Sequence, residues 1–312
     1  MLVNRSANSR SEAAESGHAP VRVSEERFGT DLAHQLANPA NLPAHGEVLL
    51  YWLGQAGFVI ECAGLRMLID PYLSDSLAEK YRGTRFAHVR LMPAPLEPSG
   101  LDRLDLVLCT HRHTDHMDPG TLQPLAQRFS QLRFVVPAAS IDEAIKRCGV
   151  EADRLIPVDV DQRVQVADDC FVMPIASAHE TLDADEQGRH PWLGYVIEVG
   201  GVRLYHSGDC VPYAQLAQRV QRLRPDVALL PVNGRDEERS CNGVPGNFTL
   251  DEALALTKAA QVPAMIAHHY GLFDFNTISP DAIDARMLDE RRQGSACALF
   301  RAQLQRAWRL RR

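Results

Sequence analysis

The chain has 312 residues, 45% of them hydrophobic and 23% charged, which is ordinary globular composition and rules out wholesale disorder. Its formal net charge of −7 supplies no basic field to hold a phosphate backbone, so nucleic acid is not an expected partner. No run of about 18 apolar residues occurs, and the polar stretch Met1 to Pro20 lacks the apolar centre of a secretion signal, so no membrane insertion is expected.

Residues 1–45 are rich in Ser, Ala, Asn and Glu and are interrupted by Pro20, Pro39 and Pro43. They predict a loose, partly flexible arm with room for one short helix, ahead of a single domain over 46–312. Val48 to Leu53, Phe58 to Glu61 and Arg66 to Ile69 read as an antiparallel run of strands, with Gly54 and Gly57 allowing a tight turn. Leu106 to Cys109 is a short buried strand that runs straight into Thr110-His111-Arg112-His113-Thr114-Asp115-His116, and Pro119 then opens a helix through Phe129. Phe134 to Val136 is a strand, Ser140 to Arg147 a helix closed by Gly149, and Phe171 to Ile175 a strand that delivers His179. Tyr195 to Val199 and Val202 to Tyr205 flank Gly200-Gly201 as a hairpin that ends on Ser207-Gly208-Asp209. A helix near Tyr213 to Leu223 precedes a strand from Val227 to Val232. Thr249 caps a helix from Leu250 to Ala260, and Ala264 to Ala267 leads into His268-His269. Cys297 to Leu310 is ambiguous between strand and helix.

The strongest feature is H-x-H-x-D-H at residues 111–116, four ligand-type side chains crowded into one loop. A metal ion makes such crowding favourable, because imidazole and carboxylate suit Zn²⁺, Mn²⁺ or Fe²⁺. The His-x-His step lets His111 and His113 hold one ion, while Asp115 and His116 face a second. His179, Asp209 and His269 each follow a strand and bring the donor count to what two ions need, with Asp209 the economical choice of shared bridge. His179 and Asp209 could each serve instead as a cap or hydrogen-bonding group. Asp70 is either a brace for this loop or a turn former before Pro71. Cys210 is read as a packed thiol, and His18, His34, His45, His88 and His190 as surface or core. The seven cysteines contain no C-x-x-C pair and fit a reducing cytoplasm.

With Trp52-Leu53-Gly54-Gln55-Ala56-Gly57-Phe58, Asp70-Pro71-Tyr72-Leu73-Ser74-Asp75, Leu204 to Asp209 and His269-Tyr270-Gly271, the 110–118 loop resembles the metallo-β-lactamase superfamily. Within it the chain is most similar to the branch of L-ascorbate-6-phosphate lactonase and related metal-dependent hydrolases. The resemblance implies an α/β (α+β) fold, a four-layer αββα sandwich with the metals at one edge where strand ends meet. It implies that His111, His113 and His179 hold a first ion, Asp115, His116 and His269 a second, and that Asp209 bridges them. It also favours His269 over His268 as ligand, and assigns Asp70 to bracing and His206 to structure.

The expected activity is that of a dinuclear hydrolase with Zn²⁺ or Mn²⁺. The nucleophile would be a bridging water acidified to a pKa of about 7, with Asp115 orienting it or moving its proton. The expected substrate is a lactone or cyclic ester of a small sugar acid, with or without a phosphate. Arg112 and Arg235 are the candidate cations for such a phosphate. Phosphodiester hydrolysis on a phospholipid or RNA is the alternative reaction, and a non-catalytic metal-stabilised binding protein the alternative class. The lactonase relatives suggest a homo-oligomer.

Overall fold

The computed structural model describes residues 19–62 and 64–312. The first part of the chain supplies β1 (Arg22–Arg27), β2 (Glu47–Gly54), β3 (Gly57–Cys62), β4 (Leu65–Ile69), β5 (Leu106–Leu108), β6 (Arg133–Pro137) and β7 (Leu155–Val158). The remainder supplies β8 (Val164–Ala167), β9 (Cys170–Ala176), β10 (Leu193–Val199), β11 (Val202–His206), β12 (Val227–Pro231), β13 (Ala264–His268), β14 (Ala298–Arg301) and β15 (Arg306–Arg311). One sheet runs in the order β1-β15-β2-β3-β4-β5-β6-β7 and the other β14-β13-β12-β11-β10-β9-β8. The helices are α1 (Leu32–Ala37), α2 (Ser76–Lys80), α3 (Pro119–Arg128), α4 (Ile141–Cys148), α5 (Leu216–Leu223), α6 (Glu237–Cys241), α7 (Leu250–Ala259) and α8 (Pro280–Arg292).

The layering follows from the two-residue period of a strand. Along β2, Val48, Leu50 and Trp52 join a cluster shared with Val172, Tyr195 and Leu204 of the opposite sheet, whereas Leu49, Tyr51 and Leu53 pack with Leu122 and Leu125 of α3 and Leu36 of α1. The same alternation recurs in β4, where Met67 and Ile69 face the sheet interface and Leu68 faces the helices. On the far side α5, α7 and α8 contribute Val220, Leu254 and Ile283. Two sheets packed face to face with helices outside give the expected four layers.

Strand direction decides where the polar loops go. β4, β5, β6 and β7 are mutually parallel, as are β11, β12, β13 and β14. β9 runs in the sense of β11, because each is antiparallel to β10. The carboxyl ends of β4, β5, β9, β11 and β13 therefore release Asp70, His111 to His116, His179, Asp209 and His269 at one edge, where open α/β sheets place ligands.

One expectation needs correction. The described part of the N-terminal segment is not a loose arm: β1 pairs along its whole length with β15, and Leu32 and Leu36 of α1 are buried. The cause is non-local, since the partner strand lies at the other end of the chain and β1 itself is a polar, half-exposed edge strand. Residues 1–18, including His18, lie outside the described residues. The ambiguous C-terminal segment resolves into β14 and β15, which enter different sheets. Among the described residues no helix is long and apolar enough to cross a membrane.

β15 lies between β1 and β2 and buries Trp308 and Leu310 completely. Trp308→Ala is expected to cost about 3–5 kcal/mol, read as a lower urea midpoint with an unchanged slope. A shift no larger than that of a surface substitution would show that β15 is not needed to close the core.

Candidate metal centre

A single buried carboxylate organises the first loop. Asp70 lies in the left-handed region (φ 46°) at the end of β4, fully buried. Its Oδ1 accepts from Thr110 N at 2.8 Å, and its Oδ2 accepts from Thr110 Oγ1 at 2.6 Å and from His116 Nδ1 at 2.7 Å. Because the Thr110 proton is committed to Asp70, Thr110 Oγ1 is left to accept from His111 Nδ1 at 3.0 Å. In both imidazoles Nδ1 thereby carries a proton and Nε2 points away from the brace, the orientation that carboxylate bracing produces in metal-ligating histidines.

The seven side chains singled out in the sequence come together. Three groups have ligand atoms mutually within 4.8 Å: His111, His113 and His179; His111, His116 and Asp209; and Asp115, His116 and His269. Asp209 Oδ1 sits 3.2 Å from both His116 Nε2 and His269 Nε2. Asp115 Oδ2 is 3.7 Å from His116 Nε2 and 3.8 Å from His269 Nε2. His179 Nε2 lies 3.2 Å from His113 Nδ1.

This donor set fits divalent cations. His111 Nε2, His116 Nε2, His269 Nε2 and Asp209 Oδ1 are all buried without an aligned hydrogen-bond partner. Buried polar atoms left unpaired cost free energy, and several such atoms aimed at common points are explained by ions that accept their lone pairs. Nitrogen and carboxylate oxygen are the donors that zinc and manganese take.

The electrostatics agree. Burial holds His111 well below its ordinary pKa, with His116 and His113 adding to the effect. Burial likewise lowers His113, to about 4, and His179. These rings are neutral and ready to donate lone pairs. His116 is the exception: burial opposes its charge, but Asp209, Asp70 and Asp115 overcome it and hold the imidazole well above its usual value. Asp209 is the complement, where burial is overcome by His269 and His116 and the carboxyl stays well below its usual range.

His268 is buried beside the centre, its ring 5.0 Å from that of His206, and belongs to none of the three ligand groups. Cys210 is a fully buried thiol pushed up to about 12 by burial. Arg235 makes a bidentate pair with Glu252, at 2.6 and 2.7 Å, beside the capping box of α7 and does not line the metal-site cleft, so it is withdrawn as a substrate contact. Arg112 does line that cleft, which has a volume of about 630 Å³.

Two residues beside the centre carried no signal in the sequence. Trp192 presents its ring to His111, His113 and His179 at 5.0, 4.9 and 5.0 Å, an apolar screen on one side of the centre. His88, expected on the surface or in the core, lines the cleft, with its ring stacked on Tyr81 at 4.4 Å and Nδ1 donating to Phe86 O at 2.6 Å. Neither residue has a motif around it, and only the folded chain brings it to the loop.

A two-sheet sandwich with histidine and aspartate loops gathered at one edge is the metallo-β-lactamase fold. The chain belongs to the β-lactamase superfamily, whose domain matches residues 65–270. A metal-dependent hydrolase of Myxococcus xanthus is 27% identical over 250 residues, covering 78% of this chain and 77% of that protein. Among solved structures, a metallo hydrolase of Ignicoccus hospitalis has a TM-score of 0.57 at 21% identity, covering 82% of this chain and 96% of the other. One described as a possible metal-dependent hydrolase of Veillonella parvula has a TM-score of 0.65 at 14% identity, with 83% and 98% covered. These likenesses establish a shared fold.

The state of His116 gives a prediction. Its Nε2 can donate to a metal only after losing the proton that the three carboxylates favour, so binding expels a proton and apparent affinity falls as pH falls. Calorimetric titration of the metal-free protein with Zn²⁺ in two buffers of different ionisation enthalpy should show different heats. Identical heats in both would contradict the assigned charge of His116.

Proposed function

We propose that the protein is a metal-dependent hydrolase with a dinuclear centre of Zn²⁺ or Mn²⁺, acting on a lactone or cyclic ester of a small anionic molecule. The observation that supports it is the set of unpaired buried donors converging on Asp209, at the floor of an open cleft. His111, His113 and His179 would hold one ion, Asp115, His116 and His269 the other, with Asp209 between them. Divalent ions bound there supply an acidified water and a Lewis acid for the substrate oxygen.

The protein's own groups do the rest. Asp115 Oδ2 accepts from Gln55 Nε2 at 3.0 Å. Burial raises its pKa, but His116 leads the effects that bring it below the usual carboxylate range. A carboxyl so held stays ionised and is a hydrogen-bond acceptor, suited to orienting a water and poorly suited to donating a proton. Trp192 screens one flank of the centre from solvent.

The cleft wall favours an anionic substrate. Arg85 is paired with Glu238, and Arg147 with Glu143 at 2.6 Å. Among the described residues Lys80 and Arg112 make no ion pair. Each lies over an aromatic ring, Lys80 over Tyr81 at 4.8 Å and Arg112 over Trp192 at 5.9 Å. Uncommitted cations beside a metal centre suit a carboxylate or phosphate on the substrate.

Elemental analysis with a panel of lactones and phosphodiesters, with Zn²⁺ and Mn²⁺ added separately, tests the reading. Close to two ions per chain are expected, with lactone turnover. Asp209→Ala should lose at least one ion and more activity than the ~10–100-fold typical of substitutions behind the ligands. Metal content without turnover on any panel would favour a binding protein, and turnover confined to phosphodiesters would replace the substrate class. Arg112→Ala should raise KM for a phosphorylated lactone and leave that for an uncharged one unchanged. Equal effects on both would remove Arg112 from substrate binding.

A further inference from the structure

The Trp52 to Phe58 motif lies outside the ligand set, yet its turn between β2 and β3 touches the centre at several points. Gln55 is fully buried with φ 48°, a backbone region that residues other than glycine seldom occupy. Its main-chain oxygen accepts from His269 N at 2.9 Å and from Trp52 Nε1 at 3.0 Å. Its side-chain Nε2 donates to Asp115 Oδ2 at 3.0 Å. The next residue, Ala56, accepts from His206 Nε2 at 2.9 Å, and His206 Nδ1 in turn accepts from Gly208 N at 3.0 Å, next to Asp209. Gly57 lies so close to Asp70 that an added Cβ would sit 3.0 Å from the Asp70 carbonyl oxygen.

One residue thus contacts two of the three members of the Asp115, His116 and His269 group, from loops about 150 positions apart. The side-chain orientation is forced: Asp115 offers only acceptors, so the Gln55 amide nitrogen must face it, which leaves Gln55 Oε1 buried without a partner. An unpaired buried oxygen and a left-handed backbone are both unfavourable, and simple packing would select an apolar residue here. Their retention together points to the bond to Asp115 as the reason for glutamine.

We propose that Gln55 is a positioning residue for the second ion. Its N–H holds Oδ2 of Asp115, the oxygen that faces His116 Nε2 and His269 Nε2, while its carbonyl fixes the backbone of His269. The inference rests on the two-ion reading above. Outer groups of this kind tune metal affinity by roughly 10–100-fold.

The test is titration of the metal-free protein with Co²⁺, followed by calorimetry and visible absorption, with His269→Ala marking the step that belongs to the Asp115 group. Gln55→Glu keeps the size and reach of the side chain but removes the N–H, and Gln55→Ala removes both. Each is expected to weaken the marked step about 10–100-fold and to change its absorption bands, leaving the other step as in the wild type. The unaltered step serves as the internal measure of folding. A marked step unchanged in Gln55→Glu overturns the proposal, as does equal weakening of both steps in both variants. A single step in the wild type would overturn the two-ion reading and this inference with it, whereas two wild-type steps with unaffected variants would overturn the inference alone.

Discussion

The Asp70 carboxylate is the interaction on which the centre depends. A buried negative charge is tolerable only if its lone pairs are satisfied, and Asp70 achieves this by accepting from the amide and hydroxyl of Thr110 and from His116. Satisfying Asp70 is the same event as orienting the ligand loop. The Thr110 proton goes to Asp70, the Thr110 oxygen is then free for His111, and the free nitrogens of two histidines are aimed at one place.

Around that anchor the fold acts through strand direction. Parallel pairing of β4 with β5 places Asp70 beside the start of the His111 loop, and parallel pairing of β11, β12 and β13 brings Asp209 and His269 to the corresponding edge of the other sheet. The apolar interface between the sheets sets the distance between the two halves of the ligand set. Substitutions in that interface therefore bear on the site even where no ligand is touched, because packed cores transmit displacement.

Charge balance links architecture to chemistry. Asp70, Asp115 and Asp209 surround His116, and this local excess of negative charge favours a cation at the centre. The neutral trio of His111, His113 and His179 lies beside the Trp192 ring, whereas His116 lies among carboxylates, so the two halves of the centre differ in environment.

The sequence alone picked out the candidate ligand residues that the fold brings together. The 111–116 loop, His179, Asp209 and His269 are legible because donors of the right type follow buried strands, and β2 to β6 and β9 to β13 are legible from apolar runs and turn residues. What only the tertiary structure decided are features made of partners far apart in the chain. Strand β1 is polar and gains its identity from β15, about 280 residues away. Arg235 is removed from consideration because Glu252, in the first turn of α7, pairs with it. Trp192 and His88 acquire significance from what they touch, and Gln55, although it stands in the Trp52 to Phe58 motif, shows its contact with Asp115 only in the folded chain.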